Sequence, residues 1–153
     1  MARIYLVSLG CDKNAIDAEI MAKTLADAGH TFSADPFQSD LALVNTCGFI
    51  EASKKESIDA VFDMARLKED KKSDIRAVVV TGCLAERYRG EFARLLPEAD
   101  AVAGLGKNAQ IAHTVDAALA GVRFSAFGDP KTLPLEGERL RTGPSHYAYL
   151  KIL

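Results

Sequence analysis

Short apolar runs alternate with stretches of helical periodicity along this sequence, and this alternation restricts the fold more than any other feature. The three strongest runs lie at residues 4–8, 41–45 and 77–81. The last of them, Ala-Val-Val-Val-Thr, is the kind of continuous β-branched segment that forms a strand covered on both faces. Strands that alternate with helices are typical of a parallel sheet with crossover helices. The sequence therefore predicts an α/β domain.

The segments between these runs have the apolar spacing of amphipathic helices. Four helices are predicted, over about residues 14–28, from 53 or a few residues earlier to the charged run at 68–74, over 84–96 and over 108–120. Weaker strands are predicted at 31–34, 101–103 and 122–126. We expect a flavodoxin-like or Rossmann-like parallel sheet of about five strands, in the order 2-1-3-4-5, flanked by helices and followed by a linker.

The composition changes near residue 128. Three of the five prolines fall within 128–144, where no helical or strand period is present. Prolines and glycines at this density are typical of a linker. We therefore predict a domain over residues 1–127, a linker over 128–145, and the first strand of a further domain over 146–153, so that the sequence is a piece of a longer protein.

Charge and composition exclude several classes of protein. Hydrophobic residues make up 48% and the net charge is −2, so a core can form but the positive excess typical of a nucleic-acid-binding domain is missing. No apolar run is long enough to span a membrane. Three cysteines cannot all pair within one chain, and no secretion signal is recognisable. We expect a cytoplasmic monomer that binds neither membranes nor, through this domain, nucleic acid.

Each of the three cysteines follows one of the three strongest strands. Cys11, Cys47 and Cys83 come one to three residues after those runs end. Because the carboxyl ends of parallel strands lie at one edge of a sheet, and neighbouring strands are about 4.8 Å apart, the three thiols should converge within about 10 Å. They are therefore predicted to share one ligand.

Thiolates are soft ligands that favour iron–sulfur clusters, zinc or copper(I). Structural zinc normally has four protein ligands, and His30, His113 and His146 are expected at the surface rather than at the cysteines. Three cysteines without a fourth suit a [4Fe–4S] cluster with one iron left open. A structural zinc site, and a flavodoxin-like interaction module without catalysis, are the alternatives.

Four polar residues flank the cysteines: Asn14, Asp17, Asn45 and Thr46. In one interpretation they supply hydrogen bonds that tune the bound group. In the other, Asn14 caps the first helix and Asp17 occupies its first turn, where the helix dipole favours a negative charge. The sequence favours neither interpretation.

Three spaced motifs carry a family resemblance. They are S-L-G-C-D-K-N at residues 8–14, followed by Asp17, then N-T-C-G-F-I at 45–50 and T-G-C-L-A at 81–85. In this order, over essentially the whole of residues 1–125, they resemble the N-terminal domain of the radical-SAM methylthiotransferases. The resemblance implies that Cys11, Cys47 and Cys83 ligate the auxiliary [4Fe–4S] cluster of these enzymes.

The first two motifs also distinguish between branches of that family. The tRNA-modifying branch usually has Y-G-C-Q-M-N as its first motif and a basic stretch after the second cysteine. Here the first motif reads L-G-C-D-K-N and the second continues G-F-I-E-A. This resembles the branch that modifies the β-carbon of an aspartate in a small-subunit ribosomal protein. That protein is the expected partner and substrate, and a tRNA adenosine is the alternative.

The resemblance further implies what the rest of the enzyme supplies. A central domain would bind SAM and a second [4Fe–4S] cluster and would generate the substrate radical, while residues 1–127 would hold the sulfur that becomes the methylthio group. Residues 146–152 resemble the first strand of that central domain, but its C-x3-C-x2-C motif is absent from the sequence. The chain alone is therefore expected to be inactive.

Overall fold

The structure is a computed structural model that describes residues 1–129, 131, 138–141 and 145–146. Its strands are β1 (Arg3–Ser8), β2 (Thr31–Phe32), β3 (Leu41–Thr46), β4 (Ala77–Gly82), β5 (Ala101–Ala103) and β6 (Phe124–Ala126). Its α-helices are α1 (Asp12–Asp27), α2 (Glu51–Glu69), α3 (Cys83–Leu95) and α4 (Ile111–Leu119). Short 3-10 helices cover Pro36–Gln38 and Leu105–Gln110.

The strands form one parallel sheet in the order β2-β1-β3-β4-β5-β6. This confirms the predicted α/β class and the predicted order of the first five strands. All three weaker strand candidates are present, so the sheet has six strands rather than about five. The register pairs Ser8 with Asn45 and Asn45 with Thr81, so β1, β3 and β4 end at the same level.

The two central strands, β3 and β4, are buried at every position. Successive side chains point to opposite faces, so each strand contributes to two cores. Val44 and Val80 pack on the side of α2 and α3, and Leu43 and Val79 on the side of α1 and α4. Burying one such side chain stabilises the fold by about 1.5–3 kcal/mol. This double covering explains the continuous apolar sequence of both strands.

Helix α1 begins two residues earlier than predicted, and α2 has the earlier of the two starts that the sequence allowed. Helix α1 begins at Asp12 rather than near Asn14, and α2 begins at Glu51 with Ile50 at its N-cap position. The Ser53–Glu56 pair, which has capping-box spacing, therefore lies inside α2 and does not cap it. Both starts follow directly from strand ends, since short connections in a parallel sheet leave few residues before the crossover helix.

The polypeptide after β6 is described only in part. Most of the predicted linker, 128–145, and the strand predicted within 146–153 lie outside the described residues. The N–H of Leu140 donates to the Glu19 carbonyl oxygen at 3.1 Å, and Arg139 pairs with the Glu19 carboxylate at 3.6 Å. This part of the segment therefore packs on α1. Among the described residues, no helix is both long and apolar enough to cross a membrane.

Candidate metal centre

Cys11 lies in the tight connection between β1 and α1. It is the exposed N-cap residue of α1 and follows Gly10, whose φ is +94°. A Cβ added to Gly10 would lie 2.4 Å from the Cβ and 2.6 Å from the Sγ of Cys47. Only glycine allows both this backbone conformation and this close approach. The first connection is therefore packed directly against the second cysteine.

Cys47 follows β3 and is 5% exposed. Its N–H donates to the Ser57 hydroxyl oxygen at 2.9 Å, and that hydroxyl donates to the Cys47 carbonyl oxygen at 2.9 Å. Ser57 is fully buried on α2, so it satisfies both backbone groups of Cys47 where water cannot reach them. This pair of hydrogen bonds fixes the cysteine's backbone to the second helix.

Cys83 is the first residue of α3 and is partly buried. Burial raises the pKa of its thiol above the ordinary value of 9.0, and the nearby Cys47, Cys11 and Asp17 raise it further, whereas Lys13 opposes them. Cys47 and Cys11 thus lie close enough to Cys83 to affect the ionisation of its thiol. Because metals bind the thiolate, binding at Cys83 must displace a proton at neutral pH.

All three cysteines line a single open cavity of about 1050 Å³ at the carboxyl edge of the sheet. Apolar and charged side chains complete its wall, among them Leu9, Phe49, Lys13, Arg87 and the acidic Glu56. Phe49 is 89% exposed, so it stands at the mouth. The structure therefore brings the three predicted residues to one place, as the positions of the strand ends require.

The described residues contain no group of three or more His, Cys, Asp or Glu side chains arranged to hold a metal ion. All three cysteines nevertheless line the same cavity. Ligation by the three cysteines remains a prediction.

Three of the polar residues that flank the cysteines, Asn14, Asn45 and Thr46, donate hydrogen bonds to backbone carbonyl oxygens. Asn14 Nδ2 donates to the carbonyl oxygens of Leu9 at 2.6 Å and Thr46 at 3.1 Å, and Asn45 Nδ2 donates to the Asn14 carbonyl oxygen at 2.8 Å. The helix-cap interpretation of Asn14 is wrong, since Cys11 holds the N-cap position without a side-chain cap bond. Asp17, 5% exposed, lies beyond the first turn of α1, so its dipole interpretation is wrong as well.

Two residues of the site were missed from the sequence. Ser57 lies within the predicted second helix, and nothing in the local sequence shows that it reaches Cys47 ten residues away. Arg87 donates to the Gly48 carbonyl oxygen at 3.1 Å and lies 5.8 Å from the ring centre of Tyr88. Its only sequence signal is its place one turn after Cys83 on the predicted third helix.

The histidines lie away from the cysteine cavity, and one of them differs from expectation. His113 and His146 are exposed, as predicted. His30 is buried instead: its Nδ1 accepts from the Ala2 N–H at 3.2 Å, and its Nε2 lies 3.3 Å from Asp116. The Ala2 contact lies where β1 begins, at the opposite end of that strand from Cys11, so His30 serves the packing of the N-terminus rather than the cavity.

A doubly wound parallel domain with three thiols around one cavity at its carboxyl edge defines a candidate metal-binding α/β protein. The chain belongs to the family described as Uncharacterized protein family UPF0004, whose model matches residues 3–104. That match contains all three cysteines and the strands that carry them.

Curated relatives match almost the whole chain. It is 40% identical over 153 residues to "Ribosomal protein uS12 methylthiotransferase RimO" of Thermoanaerobacter sp. (strain X514), covering 99% of this chain and 34% of the relative. Proteins of the same name match at 43% over 151 residues in Anaeromyxobacter sp. (strain Fw109-5) and at 43% over 152 residues in Bdellovibrio bacteriovorus, covering 98% of this chain in each case and 31% and 33% of the relatives. The chain is thus a RimO-like domain that spans about a third of the length of these relatives, which confirms the family resemblance.

Proposed function

We propose that this chain is the domain of a radical-SAM methylthiotransferase that holds an auxiliary [4Fe–4S] cluster through Cys11, Cys47 and Cys83. The observation that carries the proposal is the common cavity lined by all three thiols. Three thiolates and no fourth protein ligand would leave one iron open. When bound, the cluster would supply the sulfur that becomes the methylthio group.

The donor set fits an anionic, sulfur-liganded group. Cys11 and Cys83 lie at the N-termini of α1 and α3, where the positive ends of the helix dipoles attract an anionic group. Lys13 and Arg87 add positive charge to the wall of the cavity, against one negative charge from Glu56. The two basic side chains would offset part of the negative charge of three thiolates, and Lys13 already opposes the rise in the pKa of Cys83.

The other wall residues would keep the cluster in place and limit its contact with water. Leu9 and Ile50 present apolar surface beside the cysteines, and the Ser57 hydrogen bonds hold the backbone of Cys47 rigid. An apolar surrounding slows loss and oxidation of a cluster and shifts its reduction potential. In this proposal the domain binds and orients the cluster, while SAM cleavage and the second cluster belong to the part of the enzyme outside this chain.

The substrate proposed for the full enzyme is an aspartate of the small-subunit ribosomal protein uS12. Support comes from the first two cysteine motifs and from the relatives, which are named as methylthiotransferases of uS12. A tRNA adenosine is the alternative substrate. Incubating the full-length enzyme, SAM and a sulfur source with uS12 or with tRNA, followed by mass spectrometry, separates the two: a methylthio group on tRNA alone would overturn the uS12 assignment.

Anaerobic reconstitution tests the cluster directly. The chain, supplied with iron and sulfide, should take up roughly four irons and develop the broad absorbance of a [4Fe–4S] cluster. The triple variant Cys11→Ser, Cys47→Ser and Cys83→Ser should take up none above background. Ser53→Ala, a change on the same cavity wall that removes no thiol, is the matched control. Equal iron and sulfide uptake by the triple variant, or uptake of one zinc in preference to iron, would refute the proposal.

A further inference from the structure

A chain of side-chain hydrogen bonds links the three segments that carry the cysteines. The Asn14 amide joins the Leu9 carbonyl oxygen, two residues before Cys11, to that of Thr46, the residue before Cys47. The Thr46 hydroxyl in turn donates to the Thr81 carbonyl oxygen at 2.6 Å, two residues before Cys83. Each acceptor is thus a backbone group at the end of a cysteine-bearing strand. We call Asn14, Asn45 and Thr46 the strand-end latch.

The latch is buried and tightly packed. Asn14 is 1% exposed, and Asn45 and Thr46 are fully buried. A Cβ added to Gly82 would lie 2.3 Å from the Thr46 carbonyl oxygen and 2.7 Å from Asn45 Oδ1, so the backbone before Cys83 lies directly against the latch. The latch therefore contacts all three cysteine-bearing segments, although none of its hydrogen bonds described above reaches a thiol.

The latch is not an arrangement that stability alone favours. The buried Oδ1 atoms of Asn14 and Asn45 have no hydrogen-bond partner among the described residues. A buried acceptor without a partner costs free energy, which an apolar pair of similar shape would not. The amide donors are therefore used to tie strand ends together while two acceptors remain unsatisfied. Such a cost is typical of a site built for function.

We infer that Asn14 and Thr46 are positioning residues, which set the spacing of the three thiols before any metal enters. The inference rests on the proposed cluster-binding function. A site whose ligands are already ordered loses less conformational freedom when it binds, and therefore binds more tightly. This role differs from tuning of the cluster by direct hydrogen bonds, since the latch acts on the backbone.

The variant Thr46→Val is the sharpest test, because valine has nearly the shape of threonine and lacks only the hydroxyl. Thr81→Val is the matched control. It removes an equally buried hydroxyl from the neighbouring strand and leaves the Thr81 carbonyl acceptor in place. That hydroxyl donates a hydrogen bond to Asn108 Oδ1 at 3.3 Å. Thr46→Ser should restore the wild-type behaviour because it keeps the hydroxyl.

Two measurements are made on each full chain. In the metal-free protein, the backbone NMR order parameters of Gly10, Cys47 and Cys83 should fall in Thr46→Val. In Thr81→Val and Thr46→Ser they should stay near the rigid-backbone value of about 0.85. In anaerobic reconstitution, Thr46→Val should hold the cluster roughly 10- to 100-fold less tightly, the usual effect of losing a residue that orients metal ligands. Asn14→Leu should act in the same direction.

The outcomes separate the two proposals. Unchanged order parameters and cluster affinity in Thr46→Val, or an equal loss of both in Thr81→Val, would overturn the positioning role even if the wild-type chain binds a cluster. If the wild-type chain binds no cluster, the proposed function fails, while the order parameters still decide whether the latch holds the cysteine segments. If Asn14→Leu does not fold, the Thr46 and Thr81 variants alone decide.

Discussion

Replacing Gly10 with alanine tests the close contact between the first connection and Cys47. The residue has a φ of +94°, and its added methyl group would lie 2.4 Å from the Cys47 Cβ and 2.6 Å from its Sγ. The cysteine side chain is too short to move far without its backbone. That backbone is fixed by the two hydrogen bonds with Ser57. The methyl group therefore forces the two cysteine-bearing segments apart.

The expected loss of stability in Gly10→Ala has two parts. A left-handed backbone costs a non-glycine residue about 1–2 kcal/mol, and overpacking of a tightly packed site costs about 1–3 kcal/mol more. We expect Gly10→Ala to lower the free energy of unfolding by about 2–5 kcal/mol in total. The free energy of unfolding of a typical domain is only about 5–15 kcal/mol. The variant should therefore fold, but its urea unfolding midpoint should be clearly lower than that of the wild type.

Gly121→Ala is the matched control, since Gly121 has a φ of +77° at the end of α4 and no atom within 4 Å of an added Cβ. It should show the backbone cost alone, about 1–2 kcal/mol. Urea unfolding of the metal-free chains, followed by circular dichroism, gives both values. Anaerobic reconstitution then shows whether Gly10→Ala also loses iron uptake, as expected when Cys11 moves away from Cys47.

The difference in stability between Gly10→Ala and Gly121→Ala is the deciding measurement. If Gly10→Ala is no less stable than Gly121→Ala, the close approach of Gly10 to Cys47 is not real in solution. If it is less stable but binds iron as well as the wild-type chain does, the contact exists but does not set the geometry of the candidate site.

Three further predictions concern the site and the core. Ser57→Ala should lose about 1–3 kcal/mol in urea unfolding because it leaves the buried N–H of Cys47 without a partner, whereas Ser53→Ala, half-buried on the same helix, should stay within about 0.5 kcal/mol of wild type. The raised pKa of the Cys83 thiol predicts slow alkylation by iodoacetamide at pH 8, measured by mass spectrometry. It also predicts that the metal-free chain becomes less stable as the pH rises above 9.0, since the unfolded thiol then loses its proton while the folded one keeps it. Cys83→Ser should remove that loss of stability. Leu43→Ala, at a fully buried position of the sheet, should cost about 2–5 kcal/mol in the same unfolding assay.

The sheet was predictable because its signals are local. The apolar runs at β3 and β4 follow from burial on both faces, and parallel strands joined by crossover helices can follow few topologies. The convergence of the cysteines was predictable for the same reason. Each lies at a strand end, and the ends of parallel strands meet at one edge whatever the details of the loops.

The contacts within the site were not predictable, because they join residues far apart in sequence. Asn14 binds Thr46 across 32 positions and Thr46 binds Thr81 across 35, and no local pattern distinguishes these roles from a helix cap or a solvated polar residue. His30 shows the same limit. At the end of a helix it resembles a surface residue, but the N-terminal backbone and Asp116 pack around it.

The sequence alone determined the parallel α/β class, the three strand ends that carry thiols and the family resemblance, since each depends on residue type and spacing along the chain. Tertiary structure alone decided that Gly10 touches Cys47, that Ser57 secures it, and that the buried amide of Asn14 ties strand ends rather than capping a helix. The contacts of Gly10 and Asn14 arise only when strands separated by a helix are brought side by side, and that of Ser57 arises only when α2 packs against the end of β3. At that distance in the chain, shape and hydrogen bonding in the folded protein, rather than local sequence preference, select the partner of each residue.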